Sequence, residues 1–179
     1  IFKANDPTKA AKQISLSQLG PIKLDKDETK KMVTTIPRSS VLGFIIGVLP
    51  GAGATIASFL AYGMERNFVN DEEKQKFGKG SVNGIAAPET ANNAACSGSF
   101  VPLLTLGIPG SGTTAVMLGA LLGFGIQPGP RLYQTNPEIF WSVIMSMYIG
   151  RVVLLILNLP LIPYIARVLA TPRTFLIPL

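Results

Sequence analysis

The chain has 179 residues, 47% of them hydrophobic and 15% charged, with 18 glycines, 14 prolines and a formal net charge of +6. That profile is too apolar and too lightly charged for an ordinary soluble domain and points to a membrane protein. With no histidine and a single cysteine, Cys96, an internal disulfide is excluded, and zinc sites and histidine-based triads have no basis. No cofactor, no tightly bound metal and no nucleic-acid partner are expected, and the opening at Ile1 without an initiator methionine is read as a fragment of a longer chain.

Residues 1–38 are polar and hold eight Lys/Arg against four acids, with a break at Gly20-Pro21. They read as a basic surface loop or short amphipathic helices, and a basic segment abutting an apolar span favours the cytoplasmic side. A solvated loop whose charge carries no topological meaning is the alternative.

From Val41 to Met64 the chain is apolar, but Pro50-Gly51 divides it into pieces of about eleven residues, each roughly 16 Å long if helical and so half a bilayer. Charges flank both ends: Lys30, Lys31 and Arg38 before, Glu65, Arg66 and the run NDEEKQKFGKG after. A re-entrant hairpin over 39–64 explains this better than a crossing that leaves Lys74, Lys76 and Lys79 outside. Irregular backbone at that depth needs protein or a water-filled cavity around it.

Residues 81–99, SVNGIAAPETANNAACSGS, form a small-residue arm too polar to face lipid. Residues 100–126 read as a second apolar helix broken at Pro109-Gly110, followed by a loop, QPGPRLYQTNPE. A third stretch, 139–163, reads as a spanning helix opened by Trp141 at an interface and closed by Arg167 and Arg173, which return its far end to the cytoplasm. Arg151, near its middle, requires a partner such as Glu89, an anionic substrate, or a displaced helix that lets it reach water.

The two breaks align residue by residue: Leu49/Ile108, Pro50/Pro109, Gly51/Gly110, Ala52/Ser111, Gly53/Gly112, Ala54/Thr113 and Thr55/Thr114. Proline ends one half-helix, glycine turns the backbone, and the next half-helix begins with exposed N–H groups that attract anions. The preceding half-helices end in carbonyls, around Leu49 and around Gly107, suited to a cation. Paired unwound segments of this kind mark the substrate and coupling-ion site of a secondary transporter.

Gly51, Ala52, Gly53, Ala54, Thr55, Gly110, Ser111, Gly112, Thr113 and Thr114 are therefore candidate ligands for an anionic substrate. Asn92 and Asn93 can serve a carboxylate or an ion shell, and Leu49, Glu89, Thr90, Asn92 and Gly107 are candidates for a coupling ion, transient sodium or a proton. The plainer readings are helix packing for the glycines, cross-linking for the asparagines and a first-turn position for Glu89. A phosphate-binding loop is disfavoured because GAGAT and GSGTT lack the P-loop lysine.

The stretches GFIIGVLPGAGATIASFLAYGMER, FGKGSVNGIAAPETANNAACSGSFVPLLTLGIPGSGTTAVMLGALL, QPGPRLY and MYIGRVVLLILNLPL resemble the C-terminal half of the TctA family, the large membrane subunits of bacterial tripartite tricarboxylate transporters. The resemblance runs from about Arg38 to Pro172, and its signatures fall on Pro50 to Thr55, Ala87 to Asn93 and Pro109 to Thr114. It implies one half of an inverted-repeat secondary transporter, multi-pass in the bacterial inner membrane, working with a small membrane subunit and a periplasmic solute-binding protein. Carboxylate uptake, of citrate for example, would be driven by sodium or protons. Two departures from the family pattern stand out: Asn83, where an acid is usual, and Arg151, where a small polar residue is usual.

The expected fold is thus an all-α integral membrane one, with a re-entrant hairpin and broken transmembrane helices in the lipid bilayer. Two rivals come from other classes: a membrane enzyme acting on an anionic head group through Glu89 and Arg151, and a structural subunit whose glycines only pack helices.

Overall fold

A computed structural model of the chain describes residues 25–169. All regular structure among them is helical: α1 (Lys26–Val48), α2 (Gly53–Phe68), α3 (Asp71–Lys74), α4 (Val82–Gly98), α5 (Phe100–Leu106), α6 (Gly112–Gly123), α7 (Leu132–Thr135) and α8 (Pro137–Leu169). One compact unit ends at Ser142, and α8 from Val143 onward belongs to a second. Most of the expected basic loop, and Arg173 at the far end, lie outside the described residues.

The expected boundary at residue 38 falls inside a helix. Asp25 opens α1 with a capping box, its side chain accepting from the backbone while Glu28 reaches back to the Asp25 N–H. From there α1 runs 23 residues through Pro37, about 35 Å at helical rise. Its first half is charged because it forms the polar base of a hairpin whose second arm is α2.

Three helices make the core of this unit. Thr35 and Arg38 of α1 meet Glu65 of α2, so the two helices run antiparallel about the 49–52 turn. Asn83 meets Thr35, and a Cβ at Gly98 would stand 2.6 Å from Phe44 O, which sets α4 parallel to α1. Every contact stripe has i, i+4 spacing: Thr35, Ser39, Gly43 and Gly47 on α1; Ala57, Ala61 and Glu65 on α2; Asn83, Ala87, Ala91 and Ala95 on α4. All are buried, and the apolar part of this core is alanine.

Such small residues let backbones touch, which is how helices associate where lipid removes the hydrophobic incentive. A Cβ on Gly43 or Gly47 would run into the carbonyl oxygens of Ala91 and Ala95. Ser58 adds a tie from α2 to α4, its hydroxyl donating to Pro88 O at 3.2 Å. The small-residue arm is therefore a packed helix. Glu89 lies in its middle and not in a first turn, because the helix begins at Val82 on a Ser81 cap.

The second apolar stretch divides into a seven-residue α5 and a twelve-residue α6, the longer about 18 Å and neither able to cross a bilayer alone. Gly107 ends α5 in the left-handed region at φ 71°, with its N–H on Leu103 O and that of Ile108 on Pro102 O. The segment after α6 returns to α5, Gly129 N–H donating to Leu104 O at 3.2 Å.

By length and hydropathy α8 is the one described helix able to span a membrane, over Pro137–Ile162 at mean hydropathy 2.0. Its residues from Val152 to Ile162 are exposed. A helix apolar all round suits lipid or further protein. Its start carries an aromatic group, Phe140 packing edge-on against Tyr133 and Trp141 at 6.0 and 5.5 Å, as membrane interfaces favour.

Candidate functional site

At the tip of the α1–α2 hairpin, the two breaks line one cavity of about 640 Å³. Gly51, Gly53, Ala54 and Thr55 come from the first break and Pro109, Gly110, Ser111, Gly112, Thr113, Thr114 and Ala115 from the second, with Cys96, Ser99 and Phe100 closing the wall between. Nine of the residues expected from the sequence thus stand around one space. No charged side chain lines it.

The aligned breaks nevertheless turn by different means. In the first, Gly51 and Gly53 both adopt positive φ, 83° and 70°, and α2 starts with no side-chain cap. In the second, the left-handed glycine is Gly107, ahead of the aligned motif, while Gly110 and Gly112 keep ordinary φ. Gly110 is needed for contact instead: a Cβ there would stand 3.0 Å from the Ser99 Cβ.

Ser111 caps α6 through a reciprocal box with Thr114, Ser111 N–H donating to the Thr114 hydroxyl at 2.8 Å and Thr114 N–H to Ser111 Oγ at 3.3 Å. The Ser111 and Thr114 hydroxyls are therefore engaged with each other, whereas Thr55 and Thr113 are exposed on the wall. The first turn of α2, Gly53 to Thr55, lines the same space and carries no side-chain cap. The positive ends of two helix dipoles meet there.

Other expected residues lie elsewhere. Ala52, Leu49, Gly107, Glu89, Thr90, Asn92 and Asn93 are not part of the cavity wall. Of the carbonyls expected to be open, Leu49 O accepts from Ala52 N–H at 3.2 Å; ahead of Gly107, the preceding carbonyls of Pro102, Leu103 and Leu104 also accept. Glu89 and Asn93 lie on the exposed edge of α4, Asn93 Nδ2 donating to Glu89 O at 2.9 Å. Ala52 lies between two wall residues, Gly51 and Gly53, and Asn92 touches a third, its Oδ1 3.8 Å from the thiol of Cys96, one turn on. Arg151 sits on α8, outside the unit that holds Glu89.

The base of the hairpin holds a charged layer that sequence reasoning missed. Glu65 is fully buried, and its Oε1 accepts from Arg38 Nη2 at 2.7 Å, Thr35 Oγ1 at 2.8 Å and Asn83 Nδ2 at 3.1 Å. Arg38 also lies over the Phe68 ring, 5.0 Å from its centroid. Asn83, one of the two departures from the family pattern, belongs to this layer and not to the cavity. The sequence signal was available: Glu65 continues the Ala57, Ala61 stripe, and Thr35 and Ser39 continue the Gly43, Gly47 stripe.

One layer further out, Lys31 Nζ pairs with Glu73 Oε2 at 2.8 Å while Ser81 donates to Glu73 Oε1 at 2.9 Å. The Lys31 hydrogen bond holds the Glu73 carboxyl below its usual range against the opposing effect of burial, and the same bond raises Lys31.

The sequence profile of the tripartite tricarboxylate transporter TctA family matches residues 2–179. The chain belongs to the TctA family. The match extends N-terminal of Arg38, where the motif resemblance begins, to residue 2. Two curated relatives come from Agrobacterium vitis. An uncharacterized 52.8 kDa protein in the TAR-I ttuC' 3' region is 41% identical over 178 residues, 99% of this chain and 35% of its own length. An uncharacterized protein in the TAR-II ttuC' 3' region is 46% identical over 136 residues, 76% of this chain and 55% of its own length. The chain thus spans about a third of the first relative's length and about half of the second's. No solved structure gives a significant match.

Proposed function

We propose that this TctA-family chain supplies one half of the substrate cavity in a binding-protein-dependent secondary transporter for tricarboxylates or related carboxylates, driven by sodium or protons. The observation that carries the reading is the single cavity between two helix breaks, floored by the starts of α2 and α6. Oriented N–H groups and helix dipoles attract carboxylate oxygens without a fixed counter-charge. A substrate held in this way is easily released, as transport requires.

The α1–α2 hairpin enters the bilayer from its charged base and returns, its tip carrying the site to mid-depth. In the intact inner-membrane, multi-pass subunit, an inverted second half supplies the rest of the cavity. A small membrane subunit and a periplasmic solute-binding protein deliver the carboxylate. The subunit is a carrier and not an enzyme, so substrate crosses unchanged.

The test is uptake into liposomes containing the intact subunit, its small partner and the binding protein, with radiolabelled carboxylates and imposed sodium or proton gradients. Gly112→Val is the informative variant: Gly112 has ordinary φ and a Cβ there meets nothing within 4 Å, so the side chain enters the cavity without disturbing the fold. Accumulation that requires a gradient and falls at least tenfold in Gly112→Val is expected. Normal uptake by a correctly inserted Gly112→Val would refute the site, and substrate turnover without a gradient would favour the enzyme.

A further inference from the structure

The buried layer at the hairpin base is incompletely satisfied in a patterned way. Glu65 Oε1 takes three donors, yet Glu65 Oε2, Asn83 Oδ1, Ser39 Oγ and Arg38 Nε are buried without a hydrogen-bond partner. Ser39 and Glu65 are fully buried and Asn83 is 4% exposed. Buried polar groups in folded proteins are almost always paired, with protein or with water.

Three of these atoms belong to groups that meet at Glu65 Oε1, and the fourth lies on the same buried face of α1 as Thr35. Glu65 Oε2, Asn83 Oδ1 and Arg38 Nε each belong to a planar group whose other heteroatom already contacts, or is, Glu65 Oε1. Ser39 follows Arg38 in the chain and lies one turn beyond Thr35, which donates to that same oxygen. Three helices contribute: Arg38 and Ser39 from α1, Glu65 from α2, Asn83 from α4.

Their chemistry selects the ligand. Two are pure acceptors, one is a pure donor, and the serine hydroxyl can donate. A water molecule offers two donors and two acceptors, and a buried polar site with two to four partners is where ordered water is found. A cation would suit the three oxygens but would leave the Arg38 N–H unmet and would face the guanidinium charge. We infer that one water molecule is bound at the α1–α2–α4 junction, donating to Glu65 Oε2 and Asn83 Oδ1 and accepting from Arg38 Nε and Ser39 Oγ. The water completes the shell of a carboxylate that Arg38 contacts through one oxygen only, and it joins the three helices that support the cavity.

The experiment is structure determination of the intact subunit at a resolution that shows ordered water, once in sodium buffer and once with sodium replaced by choline. A single peak at hydrogen-bond distance from these four atoms, equally strong in both buffers, is expected. An empty site, or side chains rotated to bond one another directly, overturns the inference. A peak that vanishes without sodium also overturns it, identifying a cation instead. In Ser39→Ala the peak should persist on three partners with weaker density; unchanged density there would remove Ser39 from the site.

Discussion

Glycine in this chain serves three purposes that only the structure separates, and each predicts a different response to alanine. At Gly47 the missing side chain is occupied by the Ala95 backbone. Gly47→Ala therefore forces α1 and α4 apart and should cost about 1–3 kcal/mol, seen as a lower melting temperature of the intact subunit. At Gly119 nothing lies within 4 Å of a new Cβ, so Gly119→Ala should stabilise α6, by up to about 1 kcal/mol on helix propensity. At Gly53 there is room, but φ of 70° makes any side chain strained, and alanine should cost about 1–2 kcal/mol through the left-handed backbone alone. Parallel melting curves of the three variants test the division; equal shifts would contradict it. Glu65 adds a fourth case, because Glu65→Ala removes the acceptor shared by the buried Thr35 and Asn83 and the half-buried Arg38. The expected loss is about 1–3 kcal/mol, above that of an exposed acid such as Glu72 replaced in the same way.

At the scale of elements, the base of the hairpin should be the acid-sensitive end. Hydrogen bonding to Lys31 holds Glu73 below its ordinary 4.5. The stabilisation is then complete above the unfolded carboxylate value and is lost as pH falls through the lower folded one. Lys31 is raised from 10.5, so its share is complete below that value and disappears as pH rises through the folded one. Protection of the 71–82 amides from hydrogen exchange should be flat near neutrality and fall in acid, and Glu73→Gln should remove the acid step. These elements were unequally legible in the sequence. Proline and glycine at 50–51 and 109–110 announced both interruptions because they act locally, and the apolar run of α8 announced itself by length. The charged start of α1 read as loop because polarity was taken for exposure, when Lys31, Thr35 and Ser39 face other helices. The conformational difference between the aligned breaks was not legible either: Gly51 and Gly110 look equivalent as letters, but one supplies positive φ and the other close contact with Ser99.

For the molecule as a whole, the polar base and the cavity lie at opposite ends of one alanine-packed bundle, so a load at one end is transmitted by three close-packed helices and not by a flexible loop. Such a bundle moves as a body more easily than it bends, since its packing leaves no slack for shear. Cys96 offers a way to watch this, being the single cysteine of the chain, exposed, and on the cavity wall beside the start of α2. With any other cysteines of the intact subunit replaced, a membrane-impermeant maleimide should label Cys96 from one side of the membrane in resting vesicles. Saturating carboxylate should slow that labelling several-fold if ligand occupies the same cavity. An imposed ion gradient with substrate should shift reactivity toward the opposite side if the bundle carries its cavity across as a unit. Labelling indifferent to substrate would detach the cavity from carboxylate binding, while protection without any change of side would keep the binding site and assign the movement to other parts of the transporter.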